Sequence, residues 1–217
     1  STYKDNKILF SIGYAYIKDA AQQLNSLLGK IISIDKSTSE SEIISMGHRN
    51  PQGLFYIKNL NIIINTEHGP KGGDEINIIK RGLNYGWPIV TYGKEYWGGK
   101  IGDGVPKNGM TEPVWTWTPS IAPSGMDYYK NDYFKFLKDT MLVGSLKYKS
   151  LYAIKIQDKK PISEFIVFKN KIGRVRDVLV HPKGYILLLN DEYNGGVYKL
   201  KKNDWYYRFL IKREKPT

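Results

Sequence analysis

Arg49–Glu67 reads RNPQGLFYIKNLNIIINTE, and Arg174–Glu192, laid over it without a gap, reads RVRDVLVHPKGYILLLNDE. Each opens on an arginine and passes into a short apolar strand, Leu54-Phe55-Tyr56-Ile57 in one and Val178-Leu179-Val180 in the other. Each then turns, at Lys58-Asn59 or Lys183-Gly184, and returns through a second apolar run. Branched and aromatic side chains suit a pleated, half-buried surface, and Asn and Gly suit the turn between two strands. Each stretch is therefore a hairpin, and its recurrence marks an internal repeat.

Outward from this pair, four apolar runs each precede a second strand. Ile8–Ser11 is followed by Lys30–Ile34, Ile62–Asn65 by Glu75–Ile79, Met141–Gly144 by Ser150–Ile154, and Leu187–Asn190 by Gly196–Leu200. Long amphipathic helices are missing; the best helical stretch, Asp19–Leu28, is short. Repeated hairpins predict an all-β fold of the β-propeller kind, with three to four blades in view. A β-sandwich with chance hairpins is the plainer alternative. The spacing of the repeats is uneven, which places long insertions between strands. No linker is visible, so residues 1–217 are read as one domain. A strand pattern follows Ser1 within a few residues, so that domain is expected to be incomplete on its N-terminal side.

The composition sets bounds. Hydrophobic residues make up 41% and charged residues 25%, ordinary for a globular chain, and no apolar run approaches a membrane span. Cysteine is absent, which removes disulfides and thiolate metal sites. The formal net charge of +12 raises the question of nucleic acid. The lysines are spread along the chain rather than gathered with aromatics, so no nucleic-acid partner is expected. The densest basic cluster falls in residues 203–217 and just before them, and that segment is read as a charged C-terminal tail.

Three insertions carry candidate chemistry. Gly47-His48-Arg49-Asn50-Pro51-Gln52-Gly53 sets four hydrogen-bonding side chains just before a strand. An arginine fork suits a carboxylate or quinone oxygen, and Asn and Gln both give and accept. A simple turn with Arg49 in a surface ion pair is the plainer reading. Glu67-His68-Gly69-Pro70-Lys71-Gly72-Gly73-Asp74-Glu75, continued by Arg81-Gly82-Leu83-Asn84-Tyr85-Gly86-Trp87-Pro88, joins carboxylates to a Gly-rich loop with accessible carbonyls. Calcium takes six to eight such oxygens; a structural turn would need the same residues. The third group is basic: Lys147, then Arg174 and Arg176, which alternate on one strand face and call for an anion between or above them. Separate ion pairs with neighbouring carboxylates would also serve. Asp177 points to the opposite face.

These loops, in this order, resemble the soluble PQQ-dependent glucose and aldose sugar dehydrogenases. The matching strings are Gly47–Leu54, Glu67–Pro88, Ala122-Pro123-Ser124-Gly125-Met126 and Arg174–Val178, within a similarity running from about Lys7 to Lys202. The resemblance implies a six-bladed propeller, of which roughly the last three to four blades are present. It implies pyrroloquinoline quinone (PQQ) and Ca²⁺ as cofactors. The carbonyls of Gly69 and Pro70 would hold the calcium at the quinone, and Asp74, Glu75 and Tyr85 would hold further, structural calcium. Arg49, Asn50 and Gln52 would line the cofactor and substrate side, with Arg49 the catalytic candidate. Lys147, Arg174 and Arg176 would face the PQQ carboxylates and quinone oxygens.

The implied reaction passes hydride from C1 of an aldose sugar to the quinone, and electrons then to a separate acceptor, in a periplasmic or secreted protein. A histidine base belongs to the family's mechanism, and none of His48, His68 and His181 matches it. This chain is therefore expected to carry the cofactor side and not to turn over alone. Gly13-Tyr14 also departs from the family's Gly-Asp pair. A non-catalytic propeller module binding sugar or protein is the alternative.

Overall fold

The computed structural model describes residues 2–103, 105–202 and 209–213. Its strands form four antiparallel sheets of four, each a meander of strands consecutive in the chain. The first sheet holds β1 (Thr2–Lys4), β2 (Lys7–Ile12), β3 (Lys30–Asp35) and β4 (Ser41–Met46). The second holds β5 (Pro51–Ile57), β6 (Ile62–Glu67), β7 (Asp74–Ile79) and β8 (Trp115–Trp117). The third holds β9 (Pro123–Tyr129), β10 (Thr140–Ser145), β11 (Ser150–Gln157) and β12 (Lys160–Lys169). The fourth holds β13 (Val175–Val180), β14 (Ile186–Asn190), β15 (Val197–Lys202) and β16 (Phe209–Arg213). The fold is all-β, as expected. The four apolar runs and their followers are the two middle strands of the four sheets, and the aligned hairpins are β5–β6 and β13–β14.

The chain divides into two compact units, residues 1–121 and 122–217, each with two sheets. In the first, Leu9, Ile31, Ile44, Leu54, Ile79 and Tyr85 form a buried cluster. In the second, Tyr129, Leu142, Leu151, Val175, Ile186 and Leu200 do so. The middle strands are paired on both edges, which favours apolar residues along them. Every residue of β10 is buried.

Two expectations need correction or completion. The stretch Asp19–Leu28 is not a helix; only a 3-10 turn, Lys18–Gln22, forms there. The cause is Lys30, fully buried, whose ammonium donates to the carbonyls of Ala20, Ala21 and Leu28 at 2.9, 3.0 and 2.9 Å. Those carbonyls are drawn to one point instead of along a helix axis. Of the segment read as a charged tail, Phe209–Arg213 pairs antiparallel with β15, while 203–208 and 214–217 lie outside the described residues. Among the described residues no helix is long and apolar enough to cross a membrane.

Candidate functional site

In the first unit the site is built around the turn before β5. His48 is fully buried; its Nδ1 lies 3.1 Å from Glu67 Oε1 and its Nε2 2.9 Å from Ser45 Oγ. A carboxylate only accepts, which puts a proton on Nδ1. The Tyr85 ring stacks on the imidazole at 4.8 Å. Glu67, at the end of β6, also accepts from Asn77 Nδ2 at 2.8 Å and from the Arg49 main-chain N–H at 2.8 Å. One buried carboxylate thus ties the turn to the hairpin that follows it.

The Arg49 side chain runs inward. Its guanidinium carbon lies 5.4 Å from the Tyr14 ring centroid and 5.2 Å from that of Trp87. Its Nη1 donates to the carbonyls of His68 and Gly69, at 2.9 Å each. Its Nε is buried without a hydrogen-bond partner. Two main-chain oxygens thus converge on one cationic group. The loop that aims them needs glycine, because a methyl group on Gly69 would land on the carbonyls of Gly72 and Gly73. Asn50 lies beside His68, with Nδ2 3.5 Å from Nδ1, and Gln52 Nε2 donates to Asn50 Oδ1 at 2.9 Å. The β5–β6 register slips between Pro51 and Gly53, so Gln52 sits in a bulge, a device that re-aims a side chain.

The residues expected to hold structural calcium divide by role. Asp74 accepts from the Gly69 N–H (2.9 Å), the Ser120 hydroxyl (3.0 Å) and the Ile121 N–H (2.8 Å), so it braces the 69–73 loop. The Tyr85 hydroxyl donates to Ile78 O at 2.6 Å and accepts from the Lys80 N–H at 3.0 Å. Burial pushes that phenol up to about 12. Glu75 differs. Burial first, and then the Glu67 charge, push its carboxyl well above the usual carboxylate range. Glu67, Glu75 and Gly69 line a small cavity of about 10 Å³ beside Tyr85 and Thr91. Two carboxylates facing so small a space fit a hard cation, which would relieve the repulsion that raises Glu75. Among the described residues no three His, Cys, Asp or Glu side chains converge as a metal site, so any calcium here draws on main-chain oxygens.

In the second unit Arg174 and Arg176 share one carboxylate. Arg174 Nε and Nη2 donate to Asp191 Oδ2 at 3.3 and 3.0 Å, and Arg176 Nη2 donates to the same oxygen at 2.6 Å. The guanidiniums hold the Asp191 carboxyl below its ordinary value, Arg176 first. The anion expected beside the paired arginines is thus partly supplied by the chain, from the residue after β14. A second carboxylate, Glu192, lies beside them, its Oε1 accepting from the Arg174 main-chain N–H at 2.8 Å. The β13–β14 register slips between Val175 and Asp177, so Arg176 also sits in a bulge. Lys147 is exposed in the β10–β11 turn, its ammonium 5.4 Å from the centroid of the Tyr148 ring.

The repeat extends to these contacts. Glu192 accepts the Arg174 N–H at 2.8 Å, as Glu67 accepts that of Arg49. The alignment placed both pairs in register but gave no sign of the bond. Sequence reasoning also missed Ser45, Asp191 and the Tyr14–Trp87 pair. Tyr14, the departure from the Gly-Asp pattern, is where a ring meets Arg49.

The model of the Glucose / Sorbosone dehydrogenase family matches residues 1–199. Aldose sugar dehydrogenase YliI of Escherichia coli K12 is 35% identical over 208 residues, covering 89% of this chain and 56% of that protein. Quinoprotein glucose dehydrogenase B of Acinetobacter calcoaceticus is 27% identical over 282 residues, covering 90% and 58%. The crystal structure of the soluble aldose sugar dehydrogenase of Escherichia coli, in its apo form, superposes with a TM-score of 0.84 at 34% identity, covering 89% and 60%. The chain thus spans somewhat over half the length of these relatives.

Proposed function

The chain belongs to the glucose/sorbosone dehydrogenase family, and on that premise we propose that it carries the cofactor side of a PQQ- and calcium-dependent aldose dehydrogenase. Its four sheets are four blades of a six-bladed ring, in a periplasmic or secreted protein. The observation that carries the reading is the convergence of the His68 and Gly69 carbonyls on the Arg49 guanidinium. The glycine turn aims the Gly69 carbonyl at a cation, here the guanidinium, and calcium would take that oxygen in place of the Arg49 contact. Gly69 and Pro70 hold the ion at the quinone, and Glu75 binds a second one in the frame set by Asp74 and Tyr85.

PQQ bound here would supply the hydride acceptor for C1 of the sugar, and calcium the charge that polarises it. The protein's own residues bind and orient. Arg174, Arg176 and Lys147 meet the cofactor carboxylates, with Asp191 orienting the two guanidiniums. Arg49, planar and packed against two rings that also meet each other edge-on, presents its remaining donors toward cofactor and sugar, with Asn50 and Gln52 beside it. No histidine here serves as the base. His48 is sealed between Ser45 and Glu67, His68 lies against Asn50, and His181 stacks on Tyr185 at 4.1 Å in a turn. Proton removal is assigned to the family's histidine, in a segment these residues do not match.

The test is dye reduction by aldoses with the full-length protein, with PQQ and Ca²⁺ supplied together and singly. Activity that needs both is the expected result. Absence of activity together with absence of PQQ binding refutes the proposal.

A further inference from the structure

The first unit contains a second, larger cavity, of about 310 Å³, between its two sheets. It lies at the other end of the strands from Arg49. Glu67 ends β6 beside the candidate site, whereas Ile63, near the start of β6, lines the cavity. Four residues of strand separate them, roughly 13 Å. None of the candidate-site residues lines this space.

Its lining is divided by chemistry. Leu9, Ile44, Ile63 and Ile79 form an apolar wall. Lys4, Lys7 and Arg81 stand around it. Their carboxylate partners are Asp5, 2.9 Å from Lys4, and Glu42, which holds Arg81 and lies 3.6 Å from Lys7. Three cations thus share two carboxylates. Arg81 and Glu42 are well exposed, and exposed ion pairs are weak, so an incoming anion can exchange for them.

The decisive group is Ser33. It is 2% exposed, it lines the cavity, and its Oγ has no hydrogen-bond partner. Its neighbours in register are Leu9 and Glu42, which puts it two residue pairs inward of Lys7, on the same face of the sheet. A buried hydroxyl without a partner is unfavourable, and an acceptor brought to it restores the lost bond. The acceptor that these cations also favour is an anion, and the wall beyond them is aliphatic.

We infer that this cavity binds a small aliphatic monocarboxylate. The carboxylate accepts from the Ser33 hydroxyl and from Lys7 and Arg81, and the chain lies along Ile44, Ile63 and Ile79. The volume stands at the lower end of the range for ligand pockets, which suits a chain of about eight carbons. The site is independent of the cofactor reading and stands or falls apart from it.

Sodium octanoate is the probe, titrated into the full-length protein by calorimetry. Saturable binding to one site is expected, with octanol and octylamine at least about tenfold weaker because neither carries the anion. Acetate and inorganic phosphate are expected not to compete, since they lack the chain. Arg81→Ala, a change at an exposed side chain, should weaken octanoate about fivefold or more. Ser33→Val, close in shape, should weaken it without lowering the thermal midpoint, because the hydroxyl removed was unpaired. Octanoate binding no tighter than octanol, equal competition by phosphate, or indifference to both substitutions overturns the inference.

Discussion

Glu67 and Glu192 occupy the same position in the two repeats and accept the same bond from an arginine N–H, yet their surroundings differ. Glu67 is 3% exposed and also serves His48 and Asn77, whereas Glu192 is exposed. Glu67→Ala strands the buried His48 Nδ1–H and removes the acceptor of the Arg49 N–H, while Asn77 Nδ2 keeps Glu75, so a loss of about 2–4 kcal/mol is expected in urea unfolding. Glu192→Ala leaves groups that water can reach, and its loss should stay below about 1 kcal/mol. Similar losses would contradict the assignment of Glu67 as the tie of the Arg49 turn. Gly69→Ala should drive the Gly72 and Gly73 carbonyls away and abolish calcium-dependent PQQ binding while leaving the β-sheet circular dichroism in place.

Residue types were readable from the sequence where chemistry restricts them, as at Arg49, Arg174 and Arg176. Their partners were not. Asp191 lies fifteen residues beyond Arg176, and only the hairpin return brings the two together. Spacing likewise could not separate Asp74, which braces a loop, from Glu75, which faces a cavity. Both are acidic neighbours in one strand, pointing to opposite sides.

Hairpins account for what was readable among the elements. Each middle strand pairs with its neighbour in sequence, so local apolar runs and turn residues were enough to find them. The contacts between sheets were not visible. In the second unit β9 lies along β13: Ser124 Oγ donates to Val175 O at 2.7 Å, and Asp127 Oδ2 accepts the Val180 N–H at 2.6 Å. A methyl group on Gly125 would land on the Asp177 carboxylate. Burial raises the Asp127 carboxyl to about 6, the Asp177 charge adds to this, and the Val180 and Tyr128 N–H groups and Lys130 oppose it.

A pH dependence follows from Asp127. Between about pH 4 and pH 6 the folded chain keeps a proton that the unfolded chain has lost, so unfolding releases it and stability falls as pH rises. The contribution is present in full below about pH 4 and lost through about pH 6, by roughly 2–3 kcal/mol. Urea midpoints across that window should show the fall. Asp127→Asn should flatten it, and an unchanged slope in the variant would rule out Asp127 as its source.

At the scale of the whole molecule, the charge of +12 is spread along the sequence. Its cations gather at two places, the arginine pair on Asp191 and the rim of the 310 Å³ cavity. The all-β class and the division into sheets followed from the repeat, while the division into two compact units left no mark on composition. Whether the arginine pair receives PQQ is the central question for this protein. Absorbance titration of PQQ into the full-length protein, with and without Ca²⁺, tests it. Saturable, calcium-dependent binding that is lost in the Arg174→Ala, Arg176→Ala double variant is the predicted result; no saturable binding, or binding indifferent to both calcium and the double variant, would contradict it.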